Sequence, residues 1–250
     1  MPDVITSALA TPGMGWMVLT IVAAGLVRGF TGFGAALIFV PVAGQFLPIT
    51  DIIMVMVVTG LLSMIALLPG AVKTADKGEV SALALAAALT VPLGVWVLSQ
   101  LDMLTIRWIV SGVVTLMLGA VITGWRWHGQ LGWPGRVSIG AGAGLVGGMT
   151  GLTGPVVIIF YLANARSAAA VRANMIVFLA ALNVVLVINL ALFGHGRAET
   201  LWIAVVMTPP YLATTLIGQA LFDPRHEKAY RLVAYSVVAL ALVSSLPILD

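Results

Sequence analysis

The sequence predicts an all-α polytopic membrane protein made of two repeats, and three observations carry that prediction. Of its 250 residues 61% are hydrophobic and only 8% charged, against about 25% charged in soluble domains. Six apolar segments, 52–69, 79–99, 107–127, 171–193, 200–221 and 230–248, approach the ~20 residues a helix needs to cross the hydrocarbon core. Finally, Gly25-Leu26-Val27-Arg28-Gly29-Phe30-Thr31-Gly32-Phe33 returns 119 residues later as Gly144-Leu145-Val146-Gly147-Gly148-Met149-Thr150-Gly151-Leu152.

The motif copies lie inside two further apolar stretches, 16–47 and 137–163, which fit a simple span badly. The first would run about 48 Å as one straight helix, too long for an average bilayer. Clustered glycines, each costing about 1 kcal/mol in a helix, interrupt both. Gly29, Gly32 and Gly34 stand in one, and Gly147, Gly148, Gly151 and Gly154 in the other. Each stretch therefore reads as two half-helices joined by a break, with the second half-helices restarting near Ala35 and Val156. Pro92 in 79–99 and Pro209-Pro210-Tyr211 in 200–221 read as helix kinks first and gating hinges second. The seven tryptophans fall mostly near segment ends, as interfacial anchors do. No Lys or Arg precedes the first apolar run, so no cleaved signal peptide is expected, and residues 1–250 read as one transmembrane domain.

A broken segment can cross the membrane with a kink or turn back as a re-entrant hairpin. If both cross, eight spans result, with five basic residues facing one side and six the other. If both turn back, Lys73, Lys77, Arg126, Arg136, Arg166, Arg172, Arg225, Lys228 and Arg231 share one side and only Arg107 and Arg197 the other. Cytoplasmic loops carry an excess of Lys and Arg, so nine against two favours the hairpins. Three full crossings then separate the motif copies, which makes the repeats, 16–127 and 137–248, inverted, with both termini outside. Eight spans in two parallel halves remain the alternative.

Non-helical backbone survives at membrane depth only when buried in protein or lining a cavity, so the breaks should face each other or a hydrated pocket. Repeated glycine breaks in apolar sequence point to a transporter binding site. The restarting half-helices offer unpaired N–H groups and a positive dipole end, which favour an anion. Pro155 suits a first helical turn. Thr31, Thr150 and Thr153 offer hydroxyl donors, and Arg28 adds a charge and a fork of N–H groups matched to oxyanions. The candidate substrate-binding set is Arg28, Thr31, Gly32, Phe33, Gly34, Thr150, Gly151, Thr153, Gly154, Pro155, Arg172 and Asn174, the last two at the cytoplasmic mouth. Glycine packing explains Gly140, Gly144 and Gly148 better than ligand contact does, and interhelical hydrogen bonding explains Asn174, Asn183 and Asn189 as well as a mouth site does. Phe30, Phe33 and Met149 either wall an organic tail or pack the hairpin tips.

The remaining composition excludes other chemistry. All nine acidic residues and the three histidines lie at or near segment ends or in loops, and there is no cysteine. A cation pathway or carboxylate proton relay normally needs an acid deep in a span. No metal-ligand pair, nucleophile with its base, or P-loop is present, so no enzyme activity, metal, cofactor or nucleic-acid partner is expected. The expected partners are a small anion and the bilayer; the sequence leaves the oligomeric state open.

The stretches Gly25 to Pro41 and Gly144 to Tyr161 resemble the sulfite exporter TauE/SafE family of bacterial membrane transporters, and the resemblance in length and segment order runs from about residue 14 to 248. It implies export of sulfite, sulfoacetate or another organosulfonate across the inner membrane. A gated anion channel, an uptake permease for the same anions and a structural membrane subunit are the alternatives. The sequence departs from the family's denser glycine run at Phe30-Thr31-Gly32-Phe33-Gly34 and at Leu152-Thr153-Gly154-Pro155, which bears on substrate identity.

Overall fold

The computed structural model describes residues 10–123, 132–154, 156–157, 168–221 and 227–245, which are helical apart from short connections. The first broken segment gives α1 (Met14–Thr31) and α2 (Ala35–Ala43), followed by α3 (Ile49–Thr74), α4 (Lys77–Gln100) and α5 (Met103–Ile122). The second gives α6 (Trp133–Thr150), with residues 153–154 and 156–157 helical beyond it, followed by α7 (Ala168–Leu192), α8 (Ala198–Ala220) and α9 (Glu227–Ser245). Lys77–Gln100, Met103–Ala120, Ala170–Leu192 and Ala198–Ala220 are each long and apolar enough to cross a membrane, and α3 is a fifth if its bent halves form one span.

Several helix ends shift from the sequence reading, the segment read as 107–127 spanning Met103–Ile122, and two of the shifts have a local cause. The segment expected to end at residue 69 runs on to Thr74, with a 74° bend between Ile49–Ile65 and Leu67–Thr74. Pro69 has no N–H for the carbonyl one turn upstream, and its ring crowds that carbonyl, so the chain bends there instead of stopping. The second half-helix restarts at Thr153 rather than near Val156, because Gly151 ends α6 within a single residue.

Both breaks are made by a glycine in the left-handed region. Gly32 (φ 80°) donates its N–H to the Arg28 carbonyl at 2.7 Å, and Gly151 (φ 74°) donates to the Gly147 carbonyl at 2.8 Å. Any other L residue there would be strained by about 1–2 kcal/mol. After the first break the chain doubles back: α2 packs on α1, and the Phe46 ring beyond α2 lies against Gly13 at the start of α1.

Contacts fix the relative directions of the long helices. Gly25 meets Tyr211 and Gly29 meets Thr215 and Gly218, so α1 and α8 run parallel. Gly140, Gly144 and Gly148 meet Leu83, Ala87 and Val91 in turn, so α6 and α4 run parallel. By contrast α3 and α7 run antiparallel, since Gly60 faces Asn183 while Asp76 beyond α3 bonds Asn174. The helices bearing the motif thus pack on the opposite half of the chain, α1 on α8 and α6 on α4.

These crossings explain most of the motif's glycines. A Cβ at Gly29 would stand 2.7 Å from Gly218 Cα, and one at Gly148 would stand 2.9 Å from Gly94 Cα. Lipid gives apolar helices no hydrophobic reason to associate, so such close backbone approach is what holds them together. Thr90 adds a hydroxyl bond across the same crossing, to the Ala141 carbonyl at 2.7 Å.

Tyr211, Phe39, Phe178 and Met17 are fully buried, whereas Leu89, Leu192, Ile65, Leu116 and Leu240 are exposed on the outer face. Contiguous leucine would be an aggregation surface in water and is the expected surface against acyl chains. Trp16 and Trp133 stand exposed near the starts of α1 and α6.

Candidate anion site

Arg28 belongs to the last turn of α1, and the carbonyl it lends to Gly32 makes it part of the break itself. The residue is only 7% exposed. Its guanidinium lies 5.8 Å from the centroid of the Tyr211 ring, and Nη2 reaches Met64 Sδ at 3.6 Å. A thioether is a weak acceptor, and an aromatic face supplies about 0.5–2 kcal/mol of attraction to a cation. Neither matches the several kcal/mol needed to desolvate an ion. Among the described residues no carboxylate lies within ion-pair distance of Arg28 and its Nε has no hydrogen-bond partner, while the Tyr211 Oη faces the guanidinium and its proton has no acceptor.

A second arginine reaches the same break. The Cγ of Arg172, near the start of α7, stands 3.0 Å from where a Cβ of Gly32 would be, and its buried Nε is also without a partner. Gly32 is thereby held between the Arg28 carbonyl, which caps its N–H, and the aliphatic stem of Arg172.

The two breaks touch. Around Gly154, beyond the second break, Phe33 Cβ, Met175 Cε and Leu179 Cδ2 stand 3.7–3.9 Å from the position of a Cβ. Gly32, Phe33, Gly154 and the Arg172 stem are thus gathered at one place, with the Arg28 carbonyl in the cap of Gly32. Gly34 (φ 89°) caps the N-terminus of α2, aimed away from α1's last turn by the same break.

The threonines behave differently from the arginines. Thr150 donates its hydroxyl to the Val146 carbonyl at 2.7 Å and accepts from the Leu152 N–H at 3.2 Å, so its proton is committed to the helix end. Thr153 is buried, and its methyl fills the space in front of Gly147, where a Cβ would strike it. A Cβ at Gly151 would stand 3.1 Å from Ile53 Cγ1. Pro155 and the side chain of Thr31 lie outside the described residues.

Asn174 is engaged at the joint of α3 and α4. Its Oδ1 accepts from the Asp76 N–H at 2.8 Å, and its Nδ2 donates to Glu79 Oε1 at 3.3 Å. Glu79 is almost fully buried and also has Arg136 Nη2 at 3.8 Å. Asp51, buried in the first turn of α3, accepts from Thr200 Oγ1 at 3.0 Å. A small open hollow between α2 and α5, lined by Val40, Pro41, Leu47, Ile106, Arg107 and Ser111 among others, includes none of the break residues.

Sequence reasoning missed Tyr211 and Met64. Tyr211 was grouped with the Pro209-Pro210 kink. Its signal was position: it stands in the middle of an expected span, away from the ends where aromatic belts sit. Met64 offered no signal, since methionine is an ordinary core filler.

The sequence pattern of the family described as Sulfite exporter TauE/SafE matches residues 17–245, which include both breaks, Arg28 and Tyr211. The chain belongs to the TauE/SafE family. No curated protein and no solved structure gives a significant match. TauE/SafE proteins are membrane transporters of sulfur anions, so this chain is a multi-pass membrane transporter whose substrate is a small anion. The apolar exterior and the several membrane-length helices fit that family role.

Proposed function

We propose that this TauE/SafE chain exports a small sulfur-containing anion, sulfite, sulfoacetate or another organosulfonate, across the bacterial inner membrane, with Arg28 as its charge partner. The observation that carries the reading is the buried Arg28 guanidinium, which has no carboxylate beside it among the described residues. Isolated buried charges are expensive, and a transported anion supplies the missing partner only while it is bound. That differential is what a carrier needs: the site binds at a cost the empty protein already bears.

In this reading Arg28 and Arg172 attract the anion to Gly32, and the N-terminus of α2 after Gly34 adds N–H donors and a positive dipole end. Thr31, Gly151, Thr153, Gly154 and Pro155 shape the second side of the site, and Thr150 holds its helix end. Phe33 and Met175 give an apolar wall that an organic tail would touch. Asn174 anchors the mouth of α7 to α4.

The two halves, 16–127 and 137–248, act as inverted repeats in this account. The antiparallel course of α3 and α7, which occupy corresponding places in the two halves, supports that reading, as does the nine-to-two division of basic residues. Inverted repeats allow one half to rock against the other around a fixed site. Export of an anion from a cell that is negative inside gains about 2.3 kcal/mol per charge per 100 mV, so no coupling ion is required in that direction.

Purified protein in liposomes tests the assignment. Saturable sulfite flux with counterflow by sulfoacetate is the expected result. Ohmic single-channel current would replace the carrier by a gated channel, and neither flux nor binding would leave the chain a structural membrane subunit.

A further inference from the structure

Gly25 and Gly144 occupy the same place in the two motif copies, and each packs on a parallel helix from the other half of the chain. Gly25 meets the Tyr211 carbonyl and Thr214 Oγ1; Gly144 meets the Ala87 carbonyl and Thr90 Oγ1. One turn further on, Gly29 meets Gly218 and Gly148 meets Gly94. The two crossings therefore match residue for residue, and the match pairs Tyr211 with Ala87 just as the motif pairs Arg28 with Gly147.

The pairing makes the site's asymmetry double. Where one crossing holds a guanidinium and a phenol, the other holds Gly147 and Ala87, which have neither. In the crossing that has them, both are deeply buried and each has a donor without an acceptor, Nε of Arg28 and the O–H of Tyr211. A buried phenol whose hydrogen bond goes unmade destabilises the fold, and phenylalanine would fill the same volume without that cost. The phenol oxygen can accept from Arg28, but among the described residues its own proton has no acceptor; the two groups, from α1 and α8 and absent together from the matching place, ask for one shared acceptor.

We infer that Tyr211 is a second donor to the transported anion: its O–H binds one oxygen of the oxyanion whose charge Arg28 neutralises. The inference rests on the anion-site reading above and deepens it. The ligand it fits has at least two separate acceptor oxygens, as sulfite and sulfonates have. Arg28 holds α1 to the ligand and Tyr211 holds α8, so the anion bridges the two halves of the chain.

Sulfite titrations of the full-length protein in detergent, by calorimetry and by thermal shift, test this with Tyr211→Phe and Arg28→Leu beside the unaltered chain. A hydrogen bond to a charged group predicts a sulfite Kd raised roughly ten- to hundred-fold in Tyr211→Phe. The melting temperature without ligand should hold or rise, because an unpartnered hydroxyl has been removed. Unaltered sulfite affinity in Tyr211→Phe, with binding lost in Arg28→Leu, would overturn the role of Tyr211 and leave the anion site standing. A lower melting temperature without ligand would assign the hydroxyl a structural bond and overturn it as well. Absence of sulfite and sulfoacetate binding in the unaltered chain would instead overturn the reading on which the inference rests.

Discussion

Arg28 stacks on Tyr211, guanidinium carbon to ring centroid 5.8 Å, at the crossing of α1 and α8. The contact sets the guanidinium against the aromatic ring and beside its phenol oxygen. Among the described residues Nη2 reaches the soft Met64 Sδ and Nε has no partner, which leaves part of the fork for an anion.

Arg28→Lys tests whether that geometry matters beyond charge. Lysine keeps the positive charge but loses the planar fork and stacks less well on an aromatic face. Sulfite affinity should fall about ten-fold with insertion unchanged, read by calorimetry on purified protein. Equal affinity would reduce Arg28 to a point charge.

Close helix approach at the motif predicts a steep response to a single methyl. Gly29→Ala and Gly148→Ala push a Cβ into the backbone of α8 and α4, and overpacking of this kind costs about 1–3 kcal/mol. Gly112 in α5 has open space around it, so Gly112→Ala should be neutral or mildly stabilising. Thermal unfolding in detergent compares the three; a Gly148→Ala protein as stable as Gly112→Ala would contradict the packing.

Much of this was legible in the sequence, and the residues show why. Hydropathy located the helices because each span needs a membrane's length of apolar residues, and the repeat located the breaks because Gly32 and Gly151 both require positive φ. Arg28 stood out because a charge in apolar sequence is costly. What could not be read was which helix lies opposite each motif. The pairing of α1 with α8 brings Tyr211 to Arg28 from far along the chain, and no local pattern encodes it. The same blindness hid Asn174's bonds to Asp76 and Glu79, since its spacing within α7 is equally compatible with a ligand contact.

The left-handed caps make a separate prediction. Gly32→Ala and Gly151→Ala should each destabilise the protein by about 1–2 kcal/mol through backbone strain. In Gly32→Ala the new methyl also presses on Arg172 Cγ, so sulfite affinity should fall along with stability. Measured melting temperatures equal to that of the unaltered chain would mean the breaks do not require αL geometry.

Membrane topology can be read by single cysteines, since the chain has none of its own. The hairpin account puts Thr11→Cys and Pro48→Cys on the outside, where Gly13 and Phe46 meet, and Thr74→Cys in the cytoplasm. An impermeant maleimide added to intact cells should label the first two and spare the third. Labelling at 11 and 48 from opposite sides would favour a kinked span and eight crossings.

The most direct test of the central claim is sulfite efflux from proteoliposomes carrying Arg28→Leu, normalised to inserted protein. The account predicts that saturable efflux is lost while folding and insertion remain normal, because leucine leaves no buried charge for the anion to neutralise. Efflux at the rate of the unaltered chain would contradict it.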